Sequence, residues 1–122
     1  MTRRLLAAAC LVLGACATVP RGPAPLDPVG TYEFRTMVGG SPVSGTIQIT
    51  GATGAYAGVV RSAAMADLPV TAVEVEGQEM RVSVRTPDGT VVLHLIFEGD
   101  AFTGHWSMAG DGADISGRRL PN

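Results

Sequence analysis

The sequence predicts an all-β domain: an eight-stranded antiparallel up-and-down meander closed as a small barrel. Three observations predict it. From residue 29 onward, short runs alternate apolar and polar residues, the period of a strand with one buried face. Turn signals rich in Gly, Pro and Asp separate most of the runs. No interval between runs has room for a crossover helix, so neighbouring strands must pair antiparallel. An up-and-down order with short hairpins then favours a closed barrel over two packed layers.

The chain opens differently. Arg3 and Arg4 precede an apolar run over residues 5–13, too short to cross a bilayer as a helix. The run ends in Leu13-Gly14-Ala15-Cys16, which resembles the lipobox of bacterial lipoproteins. The resemblance implies a signal peptide at residues 1–15, cleavage before Cys16, and lipid on Cys16 as a membrane anchor. Ala17, rather than Asp, follows the cysteine. By analogy with enterobacterial sorting, this implies the periplasmic face of the outer membrane. The other cysteine, Cys10, lies inside the apolar run, so the chain beyond residue 16 can form no internal disulfide. Residues 16–28 include ATVPRGPAPLDP, whose four prolines exclude helix and central strand. They read as an extended tether, leaving residues 29–122 for one small domain.

Eight strand candidates follow, at residues 29–38, 43–50, 55–62, 68–75, 78–86, 90–98, 101–109 and 113–120. In the first, Tyr32, Phe34 and Thr36 oppose Thr31, Glu33 and Arg35. In the second, Val43, Ile47 and Ile49 oppose Ser44, Thr46 and Gln48. The fourth is ambiguous in phase and accommodates a bulge. Between the third and fourth, SAAMAD at residues 62–67 offers Ser62 as the cap of a single helical turn, which would plug one end of the barrel. In the fifth, Met80, Val82 and Val84 oppose Arg81, Ser83 and Arg85.

The sixth and seventh runs, VVLHLIFE and AFTGHWSM, form a hairpin around Gly99-Asp100. Closing the turn with Glu98 and Ala101 sets Phe97 against Phe102, Leu95 against Gly104 and Leu93 against Trp106. A one-residue slip would destroy that agreement. The register puts His94 opposite His105 on the polar face. Carrying the pairing through Asp88-Gly89 and Gly110-Asp111 gives a row Ser83–His94–His105–Ser116, with Asp114 diagonal, and sets Ile115 against Trp106. Cross-strand histidines are close enough to share a metal, so His94, His105 and Asp114 are the candidate metal ligands. The competing reading is a solvated, incidental pair.

Gly45, Gly58, Gly104 and Gly117 recur on the apolar face. A strand glycine marks a bend or a close backbone approach, and the alternative is space left for a ligand. A hollow interior would be lined by Tyr32, Phe34, Tyr56, Leu95, Phe97, Phe102 and Trp106. Gly30-Thr31-Tyr32 opens the first strand and Arg118-Arg119 closes the last. This resembles the lipocalin and calycin pattern, Gly-x-Trp on the first strand with an Arg near the end. The resemblance implies an aromatic packed across the barrel's closed end with the Arg over it, and it implies binding of a small apolar ligand. Tyr32 replaces the Trp, and the chain is shorter than a typical lipocalin.

Composition narrows the function. Beyond residue 16 there are seven Arg, no Lys and eleven Asp and Glu, a balance of −4, which is no footprint for nucleic acid. Without lysine, neither a P-loop nor a Schiff base can form. No catalytic motif is present, and no cofactor is expected. A membrane-spanning barrel needs an apolar outside and aromatic girdles, whereas one face here carries nearly all the charge. The expectation is a non-enzymatic envelope lipoprotein whose lipocalin-like barrel binds a small apolar ligand. The alternative is a structural or protein-interaction module, with a filled barrel and a surface around Val92, His94 and Ile96.

Overall fold

The computed structural model describes residues 24–121; the expected signal peptide at residues 1–15, its cleavage site and Cys16 lie outside the described residues. The strands are β1 (Gly30–Val38), β2 (Ser41–Thr50), β3 (Ala57–Ser62), β4 (Met65–Glu76), β5 (Glu79–Thr86), β6 (Gly89–Glu98), β7 (Ala101–Met108) and β8 (Asp111–Arg119). Each pairs antiparallel with the next, and β8 returns to β1, closing the barrel. Closure leaves no unpaired sheet edge.

Alternation sorts the side chains as the sequence implies. The inward residues form one apolar core from Tyr32 to Ile115, and among the described residues no charged side chain is buried. Arg35, Arg61, Arg81 and Arg85 lie exposed on the outer face. β4 carries the expected irregularity: its pairing with β5 shifts between Val70 and Ala72. A second shift separates Val60 and Ser62 in the pairing of β3 with β4.

The glycines are there for backbone approach. A Cβ on Gly45, Gly58, Gly104 or Gly117 would overlap the carbonyl oxygen of Arg61, Gln48, His94 or Glu33, respectively. Gly117 also leaves room for the Phe102 ring. These are the points where neighbouring strands coil tightly enough to close a small barrel.

The β6–β7 register matches the sequence reading, with Leu93 opposite Trp106 and His94 opposite His105. The flanking hairpins are each offset from the expectation by two residues. The β5–β6 turn is Pro87-Asp88, so Ser83 faces Val92, and His94 faces Arg81. The β7–β8 turn is Ala109-Gly110, so Ser116 faces Thr103 and Asp114 lies directly opposite His105. Trp106 therefore faces Ala113, and Ile115 faces Gly104. A two-residue offset preserves which face each side chain takes, so alternation does not detect it.

Residues 62–67 do not form a helical turn. Ser62 pairs with Met65 across a two-residue hairpin, and the Ser62 hydroxyl accepts from the Ala64 N–H at 3.2 Å. The serine performs the capping chemistry expected of it, but on a tight turn. Met65 onward continues as β4, so this segment forms no plug at its end of the barrel.

Candidate functional site

The two ends of the barrel differ. At one end sit the β2–β3, β4–β5 and β6–β7 connections together with both ends of the described chain. Leu26 N–H donates to Gly77 O, Leu120 N–H to Thr31 O, and the Gln78 side-chain amide to Ala24 O. Tyr32 fills the barrel here, with no exposed surface. Its ring lies edge-on to Phe97 and Phe102, with centroids 5.6 and 6.4 Å away. The Tyr32 hydroxyl donates to Pro28 O at 2.6 Å. Arg119 lies over the Tyr32 ring, 5.1 Å from its centroid, and donates to Val29 O and Asp27 O. Burial pushes the Tyr32 phenol up to about 12, against the opposing pull of Arg119. This is the arrangement implied by the resemblance of Gly30-Thr31-Tyr32 and Arg118-Arg119 to the lipocalin pattern, with Arg119 the arginine that lies over the ring.

The other end is open. The turns β1–β2, β3–β4, β5–β6 and β7–β8 surround a cavity of about 350 Å³ that reaches into the barrel. Phe34, Ile47, Val60, Leu93 and Trp106 line its depth, with Val43, Leu68, Val84 and Ile115 around them. Val38, Met65, Pro87 and Met108 continue the apolar lining at the strand ends and turns. Val38 and Met65 are 42% and 36% exposed, so the apolar surface reaches the mouth.

Polar groups in the wall are already engaged. The Trp106 indole N–H donates to Thr36 Oγ1 at 2.9 Å, and the Thr36 hydroxyl donates to Asp114 O. The Thr86 hydroxyl donates to Gly89 O and accepts from Asp88 N–H. Both threonine hydroxyls thus already have donor and acceptor partners. Asp88, at the tip of the β5–β6 turn, is the charged residue in the lining. The cavity can hold an apolar body of modest size, near the lower end of ordinary ligand pockets, ~300 Å³.

Of the interior residues named from sequence, Phe34 and Trp106 line this cavity. Tyr32, Leu95, Phe97 and Phe102 are buried in the core but do not line it. Tyr56 is half-buried, in the β2–β3 connection. The sequence draws attention to large aromatics, whereas the lining is mostly aliphatic. The signal that finds the lining is the inward phase at the hairpin ends: Thr36, Val38, Met65, Thr86 and Met108.

His94 and His105 are neighbours on the outside, with ring centroids 5.9 Å apart and the rings edge-on. His94 Nε2 is turned to Glu79 Oε1, 3.1 Å away. Among the described residues, no group of three His, Cys, Asp or Glu side chains is arranged to hold a metal ion. Around this pair Ile96 is exposed while Val92 is half-buried.

No protein-family model matches the chain, and no curated protein matches it by sequence. Solved structures share its fold, among them the two that follow. A de novo designed fluorescence-activating β-barrel superposes with a TM-score of 0.54 over 75% of this chain and 93% of its own, at 20% identity. Fatty-acid-binding protein 1 of Echinococcus granulosus superposes with a TM-score of 0.51 over 77% of this chain and 98% of its own, at 10% identity. The chain has a closed, lipocalin-like β-barrel fold. At these identities the likeness concerns fold alone, and function rests on the cavity.

Proposed function

We propose that this protein is an envelope lipoprotein, anchored through lipid on Cys16, whose barrel holds a small apolar molecule in the cavity beside Trp106. The observation that carries the binding half is the open, apolar cavity of about 350 Å³ with its polar wall groups internally satisfied. One solved barrel of the same fold is by name a fatty-acid-binding protein, which supports the same reading. The anchoring half rests on Leu13-Gly14-Ala15-Cys16 behind a basic and apolar leader. The proposed role is binding, supported by a lining that is apolar apart from two engaged threonines and Asp88 at the mouth.

Native mass spectrometry of the protein purified from the cell envelope tests both halves. The expected spectrum shows a chain beginning at Cys16 with added acyl mass, and a second species carrying a retained apolar molecule. Cys16→Ser should leave the membrane fraction or accumulate as precursor. A Cys16→Ser chain that is processed and fractionates like the native one contradicts the anchor. A chain that never carries a ligand, even after incubation with envelope lipid extract, contradicts the binding.

A further inference from the structure

We infer that the cavity selects ligands by head group: it takes an apolar chain that ends in a cationic or neutral hydrogen-bond donor, and it rejects the same chain ending in a carboxylate. The inference rests on the apolar-cavity reading and specifies its ligand. Inside the cavity an anionic head would find no partner. The lining residues include no Arg or His, and the chain has no Lys. The Thr36 and Thr86 hydroxyls are already engaged. Burying an unpaired carboxylate is strongly unfavourable, so the head must remain at the mouth and only the tail can enter.

At the mouth, the charge that meets the head is Asp88. Its position is fixed by the turn: Asp88 N–H donates to Thr86 Oγ1 at 3.1 Å, and the same hydroxyl ties Gly89 O at 2.9 Å. Asp111 begins β8 opposite Met108, another cavity residue, and adds a second carboxylate at this end of the barrel. The arginines at this end do not offset them at the opening. Arg35 and Arg85 are exposed on the outer face, and Arg61 is paired with Asp67 at 3.2 Å. An ammonium or hydroxyl head can donate to Asp88, whereas a carboxylate is repelled.

The test uses the full chain in phosphatidylcholine vesicles and three probes of one length: 8-bromooctylamine, 8-bromooctanol and 8-bromooctanoate. Trp106 is the chain's single tryptophan and lines the cavity, so bromine quenching reports entry of the tail. The amine should bind tightest and the carboxylate weakest, by about tenfold between them for charges a few ångströms apart near a surface, and less at high salt. Asp88→Asn should flatten the order, and Asp88→Arg should reverse it. Comparing variants for one probe cancels that probe's partitioning into the bilayer. Native chain that prefers the carboxylate, or an order that Asp88→Arg leaves unchanged, overturns the head-group inference while the apolar cavity stands. If none of the three probes quenches Trp106, the cavity reading itself fails.

Discussion

Tyr32 shows how one residue decides the character of a whole end of the barrel. Its ring is fully buried against Phe97 and Phe102, its hydroxyl is tied to Pro28, and Arg119 covers it. Because burial raises the phenol from its ordinary 10 to about 12, the folded chain holds the proton more tightly than the unfolded chain. That contribution is fully present below pH 10 and is lost as pH rises toward 12. A rise of that size is worth about 3 kcal/mol. Urea unfolding followed across this range should show the native chain losing about that much stability. Tyr32→Phe should be weaker at neutral pH by about 1 kcal/mol, for the lost hydrogen bond to Pro28, but should be flat in that alkaline window. Equal alkaline losses in both would place the titration elsewhere. Tyr32 is legible in the sequence because an aromatic beside Gly30 on the first strand has a known partner in an Arg near the end. The cavity lining is less legible, because inward Val, Leu and Ile look the same whether they meet another side chain or a void.

At the scale of the strand and hairpin, the eight runs of alternation are the eight strands, with bounds that differ by three residues at most. The β6–β7 register is legible because turn chemistry and apolar pairing agree: Gly99 supplies a φ of 64° at the turn, and Phe97 meets Phe102. The neighbouring hairpins are not, because an even offset leaves every side chain on its own face. At β5–β6 the Thr86 hydroxyl closes the turn around Pro87-Asp88. At β7–β8 barrel closure decides the matter. Pairing Phe34 with Gly117 on one side and Phe102 with Gly117 on the other fixes β8, which leaves Ala109 and Gly110 to make the turn. Ala109 is forced to a φ of 49°, the one positive value among non-glycine residues in the described chain. An alanine there is strained by about 1–2 kcal/mol. Ala109→Asn, which tolerates the left-handed region, should raise stability by about 1 kcal/mol in equilibrium unfolding, without moving the register. A neutral or destabilising result would mean that the turn closes differently. The same even offset hides the true neighbours of the histidines, Arg81 and Asp114. Glu79 then draws the His94 ring, so the pair forms part of a solvated polar row on the outer wall.

For the whole molecule, polarity runs along the barrel axis. Both ends of the described chain are fastened at the aromatic-filled end, and the cavity opens at the other. Under the proposed anchoring, residues 17–23 separate Cys16 from the described chain, and seven residues span at most about 25 Å when fully extended. Under that proposal the filled end would lie toward the membrane and the mouth would open away from it. A ligand would enter from the aqueous side. That the mouth leads to a binding cavity is tested most directly by titrating the full chain with the uncharged dye N-phenyl-1-naphthylamine while exciting Trp106. The expected result is saturable energy transfer from Trp106 to one dye per chain, with affinity at least tenfold weaker in Leu68→Phe, which narrows the cavity without touching the filled end. Transfer that does not saturate, or that Leu68→Phe leaves unchanged in a folded chain, would contradict it.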